Sequence, residues 1–172
     1  MKKVNIENFD LLSPKFEREN INLGLSRIKK ALGELDNPCK KIPAIQIVGT
    51  NGKGSITAFI ENILHADKKN IGVTTSPHLF DICERIRVNK EKINKQEFER
   101  LFKKIENKLS IHKLSPFEQI ICCALKYFDL KKVDLLILEA GLGGRLDATT
   151  AHHLRPITVS YTHLTLPTNR EV

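Results

Sequence analysis

Apolar residues recur along this chain at helical spacing in some stretches and as short unbroken runs in others. Leu23, Leu25, Ile28, Leu32 and Leu35 predict a helix that stops at Asp36-Asn37-Pro38, where the proline ring forbids continuation. Ala44, Ile45, Ile47 and Val48 form a short apolar run suited to a buried parallel strand. Ile56, Phe59, Ile60, Ile63 and Leu64 then predict a helix from near Ser55 with one apolar stripe. Ile71 to Thr75 reads as a second strand, ended by the turn-forming Ser76-Pro77-His78. Asn94 with Glu97 fits the start of another helix, which carries Phe98, Leu101, Phe102, Ile105 and Leu109 on one face. Ser115, Pro116 and Glu118 open a further helix bearing Phe117, Ile120, Ile121, Ala124, Leu125 and Phe128, and Val133 to Leu138 reads as a third strand.

Strands separated by helical segments of this length predict right-handed crossovers and an α/β fold, a parallel sheet with helices on both faces. In such sheets ligands gather at the carboxyl ends of the strands. That rule selects Gly49 to Ser55, Ser76 to His78, and Glu139 to Asp147 as one site, because each segment directly follows a predicted strand.

The first segment, GTNGKGS, lies between a strand-like run and a helix start, which reads as a phosphate-binding loop. A triphosphate must be wrapped closely by main chain, and glycine at 52 and 54 removes the Cβ that would obstruct the approach or the backbone angles. Amides at the helix N-terminus supply donors and a positive dipole end, Lys53 adds a point charge for the outer phosphates, and Ser55 offers a hydroxyl to magnesium. The spacing departs from G-x-x-x-x-G-K-[ST], because Gly54 separates the lysine from the hydroxyl residue.

Glu139 stands at the end of the third strand, where a carboxylate beside a phosphate loop is placed to hold magnesium directly or through water, or else to cap a turn. Arg145, after Gly141-Leu142-Gly143-Gly144, either clamps an anion or pairs with Asp147 at the surface. Ser76 offers a second hydroxyl to the metal or merely starts a turn, and Glu118 either touches a ligand or completes the cap with Ser115. No Ser-His-Asp or Cys-His arrangement supports covalent catalysis.

Composition bounds these readings. The 172 residues, 41% hydrophobic, suffice for one ordinary domain with its own core. The formal charge of +8 invites a nucleic-acid reading, but the lysines are scattered as pairs that punctuate predicted helices, the pattern of a solvated surface. Cys39, Cys83, Cys122 and Cys123 lack zinc-site spacing and read as reduced core thiols. With no signal-like segment and no apolar run of membrane-spanning length, the expectation is a cytoplasmic protein.

With these segments in place, the chain resembles the folylpolyglutamate synthase and dihydrofolate synthase family, relatives of the Mur peptide ligases. The resemblance rests on LGLSRI (Leu23 to Ile28), VGTNGKGS (Val48 to Ser55), TSPHL (Thr75 to Leu79), ERIRVN (Glu84 to Asn89), SPFE (Ser115 to Glu118) and EAGLGGRLDATT (Glu139 to Thr150), in the family's order. It implies a P-loop NTPase-like domain of the Mur central type. It further implies that Thr50, Asn51, Gly52, Lys53, Gly54 and Ser55 bind ATP, and that Ser55, Ser76 and Glu139 serve Mg2+. Lys53 and Glu139 would be the catalytic residues. Asn22, Leu23, Gly24 and Leu25, then Ser115, Pro116, Phe117 and Glu118, then Leu146, Asp147 and Ala148 would lie near the pteroate ligand.

The implied reaction is ATP-dependent addition of L-glutamate to dihydropteroate or folate through an acyl phosphate. The implied partners are those small molecules, with no nucleic acid and no membrane, and the full-length protein would be monomeric. Two positions vary the family's pattern: Asn22 stands where an aspartate is common, and Ser115-Pro116 replaces a Thr-containing form.

After Ile157-Thr158-Val159 the family continues into an Asp-His pair, a Leu-Gly step, a modified lysine and a C-terminal domain, whereas this chain ends SYTHLTLPTNREV. The expectation is therefore a truncated ATP-binding domain over 1–159, an unrelated tail over 160–172 of the kind adaptor read-through leaves, and no ligase activity from this chain alone. Two rival readings stand beside it: a Mur-type amino-acid ligase, against which LGLSRI and SPFE weigh, and a non-catalytic nucleotide-binding module.

Overall fold

A computed structural model describes residues 24–152 and 157–161. Helix α1, Ser26–Glu34, leads into strand β1, Ala44–Gly49, and then helix α2, Lys53–Ala66. Strand β2, Ile71–Thr74, is followed by the short strands β3, Ile86–Val88, and β4, Glu91–Lys92. Helices α3, Lys95–Leu109, and α4, Pro116–Leu130, precede β5, Leu135–Glu139, and β6, Ile157–Tyr161.

The six strands form one sheet in the order β4-β3-β2-β5-β1-β6. Strands β2, β5 and β1 run parallel, as the spacing of the apolar runs predicts, and β6 adds a further parallel strand beside β1 that the apolar pattern did not predict. The antiparallel edge of β3 and β4 was not predicted; Arg87 alternates with Ile86 and Val88 there, and the pattern is too short to read as a strand from sequence.

Alternation along the strands divides the core into two layers. Ile47, Ile71, Val73 and Ile137 point to one face and meet Ile56, Ile60 and Leu64 of α2. Ala44, Leu136 and Leu138 point to the other face, where the buried sides of α1, α3 and α4 gather. Helices therefore lie on both faces. Cys39, Cys83, Cys122 and Cys123 are free thiols within this larger layer, and burial pushes Cys39, Cys83 and Cys122 up to about 12.

Local chemistry sets several boundaries. Asn94 accepts from the Glu97 amide at 2.8 Å to start α3. Ser115 and Glu118 form a reciprocal capping box at the start of α4, with Pro116 in the first turn. Helix α2 departs from its expected stripe: Phe59 and Ile63 are 65% and 70% exposed, while Thr57 and Glu61 are buried. The helix is turned so that Glu61 meets Arg87 across the sheet edge at 2.9 Å, and the second row of apolar residues is left facing solvent. Among the described residues no helix is long and apolar enough to cross a membrane.

Candidate active site at the carboxyl ends of β1, β2 and β5

Strand β1 ends at Gly49, and the chain turns through the exposed Thr50 and Asn51 into Gly52, whose φ of 76° is left-handed. Glycine adopts that angle at no steric cost. Helix α2 then begins at once at Lys53 with no side-chain cap and no acidic residue in its first turn. The contrast with α3 and α4, whose first amides are taken by Asn94 and Ser115, is chemical: the α2 amides remain directed at the loop. An uncapped N-terminus of a helix this long, fronted by a glycine turn, suits an anionic group. Lys53 Nζ folds back to donate to Gly49 O at 3.0 Å, which holds the ammonium over the same loop. Gly54 and Ser55 are exposed in the first turn.

Glu139 ends the neighbouring strand. It is paired in register with Ile47, two residues before Gly49, and is only 4% exposed. Burial pushes its carboxyl above the ordinary range, while the nearby Ser76 amide and the charges of Lys53, Arg87 and Arg85 act in the opposite direction. The register of Thr74 with Leu138 brings Ser76 beside Glu139 from the other side. The three segments selected from sequence thus meet at adjacent strand ends. Among the described residues no three His, Cys, Asp or Glu side chains come together as a metal cage. The available donors are the two serine hydroxyls and one carboxylate, which fit a hard ion such as magnesium that keeps water and phosphate oxygens as its remaining ligands.

The segments expected near a second substrate also adjoin one another. Asn22 and Leu23 lie outside the described residues, while Gly24 and Leu25 are half-buried before α1. Arg27 reaches from α1 to Glu118 at 3.1 Å, and the same Glu118 oxygen accepts the Ser115 amide at 2.7 Å. Glu118 therefore serves the cap and an ion pair together. Behind Pro116, the Phe117 ring lies 3.0 Å from where a β-carbon on Gly141 would stand, which joins the start of α4 to the glycine loop after β5.

Asp147 is 5% exposed, so the surface pair with Arg145 is not formed. Its carboxylate accepts instead from the Gly141 and Leu142 amides at 2.9 and 3.0 Å and from Thr149. Leu146 is exposed beside it and Ala148 is buried.

Sequence reading passed over a polar layer beneath these residues. Arg85 is fully buried and donates through Nε to His78 Nδ1 at 3.0 Å, and Arg87 bonds Glu61, Thr75 and the Glu84 carbonyl. One signal was available: Thr57 and Glu61 stand four residues apart on one helix face, next to the apolar row of Ile56, Ile60 and Leu64.

No family model matches the chain. It is 39% identical over 131 residues to dihydrofolate synthetase of Saccharomyces cerevisiae, a match that covers 75% of this chain and 31% of the yeast protein. Among solved structures, it aligns at 38% identity and a TM-score of 0.73 with a bifunctional folylpolyglutamate synthase/dihydrofolate synthase holding Mn, AMPPNP and L-glutamate, over 78% of this chain and 33% of that one. It aligns with Escherichia coli FolC in complex with DHPP and ADP at 36% identity and a TM-score of 0.73, over 82% of this chain and 35% of that one. The chain therefore spans about a third of the length of the relatives it matches.

Proposed function

The chain belongs, over the segment it spans, to the dihydrofolate synthase/folylpolyglutamate synthase family, and we propose that it forms the nucleotide and metal side of an ATP-dependent carbon–nitrogen ligase. The observation that carries this reading is the uncapped glycine-loop helix set against a buried Glu139 at the next strand end. Relatives holding an ATP analogue, manganese, L-glutamate and DHPP point to a pteroate or folate acid and L-glutamate as the joined substrates.

In this reading the α2 amides and Lys53 bind and orient the triphosphate, and Thr50 to Gly54 wrap it with main chain. Ser55, Ser76 and Glu139 would hold magnesium, which neutralises charge on the transferring phosphoryl group. The substrate carboxylate oxygen attacks the γ-phosphorus and ADP leaves. The glutamate amine then attacks the acyl carbon, phosphate departs, and the amine loses its proton. Lys53 stabilises the charge that develops on the transferring oxygens. The segments around Leu25, Phe117 and Leu146 border the space where the acid would lie.

Calorimetric titration of MgATP into the native chain and a Lys53→Ala variant, both shown to be folded by circular dichroism, tests the reading. The expected result is a heat of binding that depends on the lysine. A folded native chain that takes up no nucleotide, together with a chain of the relatives' full length that also takes up none, rejects the loop assignment. Ligation of glutamate to dihydropteroate is measured in a chain of the relatives' full length, since this one spans about a third of that length.

A further inference from the structure

Arg87 lies on β3, in the antiparallel part of the sheet between β4 and β2, outside all the segments that border the nucleotide loop. Its side chain nevertheless connects them. One guanidinium nitrogen donates to Glu61 Oε2 on α2 at 2.9 Å. The other donates to Thr75 Oγ1 at 3.2 Å and to the Glu84 carbonyl at 3.1 Å. Thr75 Oγ1 donates onward to the same carbonyl at 3.3 Å, and the Thr75 amide bonds Arg85 O at 3.2 Å. Thr75 directly precedes Ser76, and the pairing of Thr74 with Leu138 sets this segment beside Glu139 at the end of β5.

A continuous path of polar contacts thus runs from the helix that carries Ser55, through one guanidinium, to the segment that carries Ser76. Only a planar fork supplies donors in both directions at once; a lysine ammonium at this place has neither the reach nor the fixed geometry to serve Glu61 and Thr75 together. The pair is well shielded, with side-chain exposures of 22% for Arg87 and 7% for Glu61, so the link is rigid rather than a solvated surface contact.

We propose that Arg87 is a positioning residue for the metal side of the site: it fixes Thr75 and the adjoining Ser76, beside Glu139, against the helix that presents Ser55. The inference rests on the nucleotide and metal reading given above. A role of this kind acts on metal-assisted nucleotide binding and leaves the glycine loop's own hold on phosphate intact. A purely structural ion pair weakens both together, or neither.

The test measures binding of a non-hydrolysable ATP analogue by calorimetry, with Mn2+ and with EDTA, in the native 172-residue chain and in Arg87→Lys, Arg87→Met and Thr75→Val. The metal-dependent gain in affinity is the readout. Residues that orient metal ligands typically change metal affinity about 10- to 100-fold, so Arg87→Met is expected to lose roughly tenfold or more of the gain and Arg87→Lys less, with affinity in EDTA unchanged. Thr75→Val keeps the Arg87–Glu61 pair and removes only the branch toward Ser76, so it carries the same expectation if Arg87→Met fails to fold. A folded variant with the full native gain, or equal losses with and without metal, overturns the inference alone. A native chain with no metal-dependent gain overturns the site reading and the inference with it.

Discussion

The side-chain amide of Gln46, buried in the middle of β1, donates to the hydroxyl of Thr149 at 2.8 Å. Its second hydrogen goes to Thr150 at the same distance, and Thr158 Oγ1 on β6 lies 3.4 Å from its carbonyl oxygen. Thr149 Oγ1 donates in turn to Asp147 at 2.6 Å, and Thr150 Oγ1 to the Gly144 carbonyl at 2.6 Å. The glycine loop after β5 is thereby fastened to the strand that ends in the phosphate loop. Loop and strand share one polar network with its donors and acceptors matched, which is what makes burying it tolerable.

Asp147 is the hub of that network. Replacing it by alanine leaves the Gly141, Leu142 and Thr149 amides without their acceptor in a site where the carboxylate is almost fully enclosed. A buried group deprived of its partner costs about 1–3 kcal/mol, and only part of the loop can relax toward water, so Asp147→Ala is expected to lower stability by roughly 2–4 kcal/mol. Urea denaturation of the variant against the native chain measures it. A change under about 0.5 kcal/mol, the range of an ordinary surface substitution, contradicts the assignment of Asp147 as the hub.

Much of this site is legible in the sequence, for physical reasons that differ from residue to residue. The glycine loop is readable because strand, loop and helix each leave a local mark, and Ser115 with Glu118 because a capping box is a contact between near neighbours. Arg87 and Glu61 are not readable, because a buried charge makes sense only with its partner, and the partners stand 26 positions apart. The exposure of Phe59 and Ile63 follows from the same gap: helical periodicity gives the apolar side of α2 but not the rotation that the ion pair selects. The β3–β4 edge is hidden likewise, since Arg85 and Arg87 break the apolar run that would have marked a strand.

Gly72, in the middle of β2, lies under the ring of Phe128 from α4. A β-carbon at this position would stand 2.7 Å from two ring atoms, closer than real contacts allow. Phe128 is itself fully buried, so the ring has little room to withdraw. Overpacking of this kind costs about 1–3 kcal/mol, and Gly72→Ala is expected to fall in that range while leaving the phosphate loop unchanged. The paired variant Gly72→Ala/Phe128→Leu tests the cause: relief of the clash makes the double substitution less destabilising than the sum of the two single ones. Additive losses in thermal unfolding would show that the ring and the strand do not meet as described.

The turn between β2 and β3 is held by charge rather than by packing, because Leu79 and Phe80 are 82% and 94% exposed. Glu84 accepts the amides of Leu79, Phe80 and Asp81 at 2.8, 3.2 and 2.9 Å, and the Leu79 amide foremost holds its carboxyl below the ordinary value of 4.5. Asp81 is lowered from 3.8 chiefly by the Cys83 amide. A carboxylate whose folded pKa is depressed contributes stability above its unfolded pKa and loses it as pH falls through the folded value. The turn is therefore expected to keep its amide protection at neutral pH and to lose it only as the pH falls below the ordinary carboxylate range and through the depressed folded values, once exchange rates are corrected for their intrinsic pH dependence. Glu84→Ala should abolish protection of the Leu79, Phe80 and Asp81 amides already at pH 7, with the amides of β5 unaffected. Hydrogen exchange read by mass spectrometry distinguishes the cases: protection that survives in the variant would mean that the turn is fixed by something other than this carboxylate.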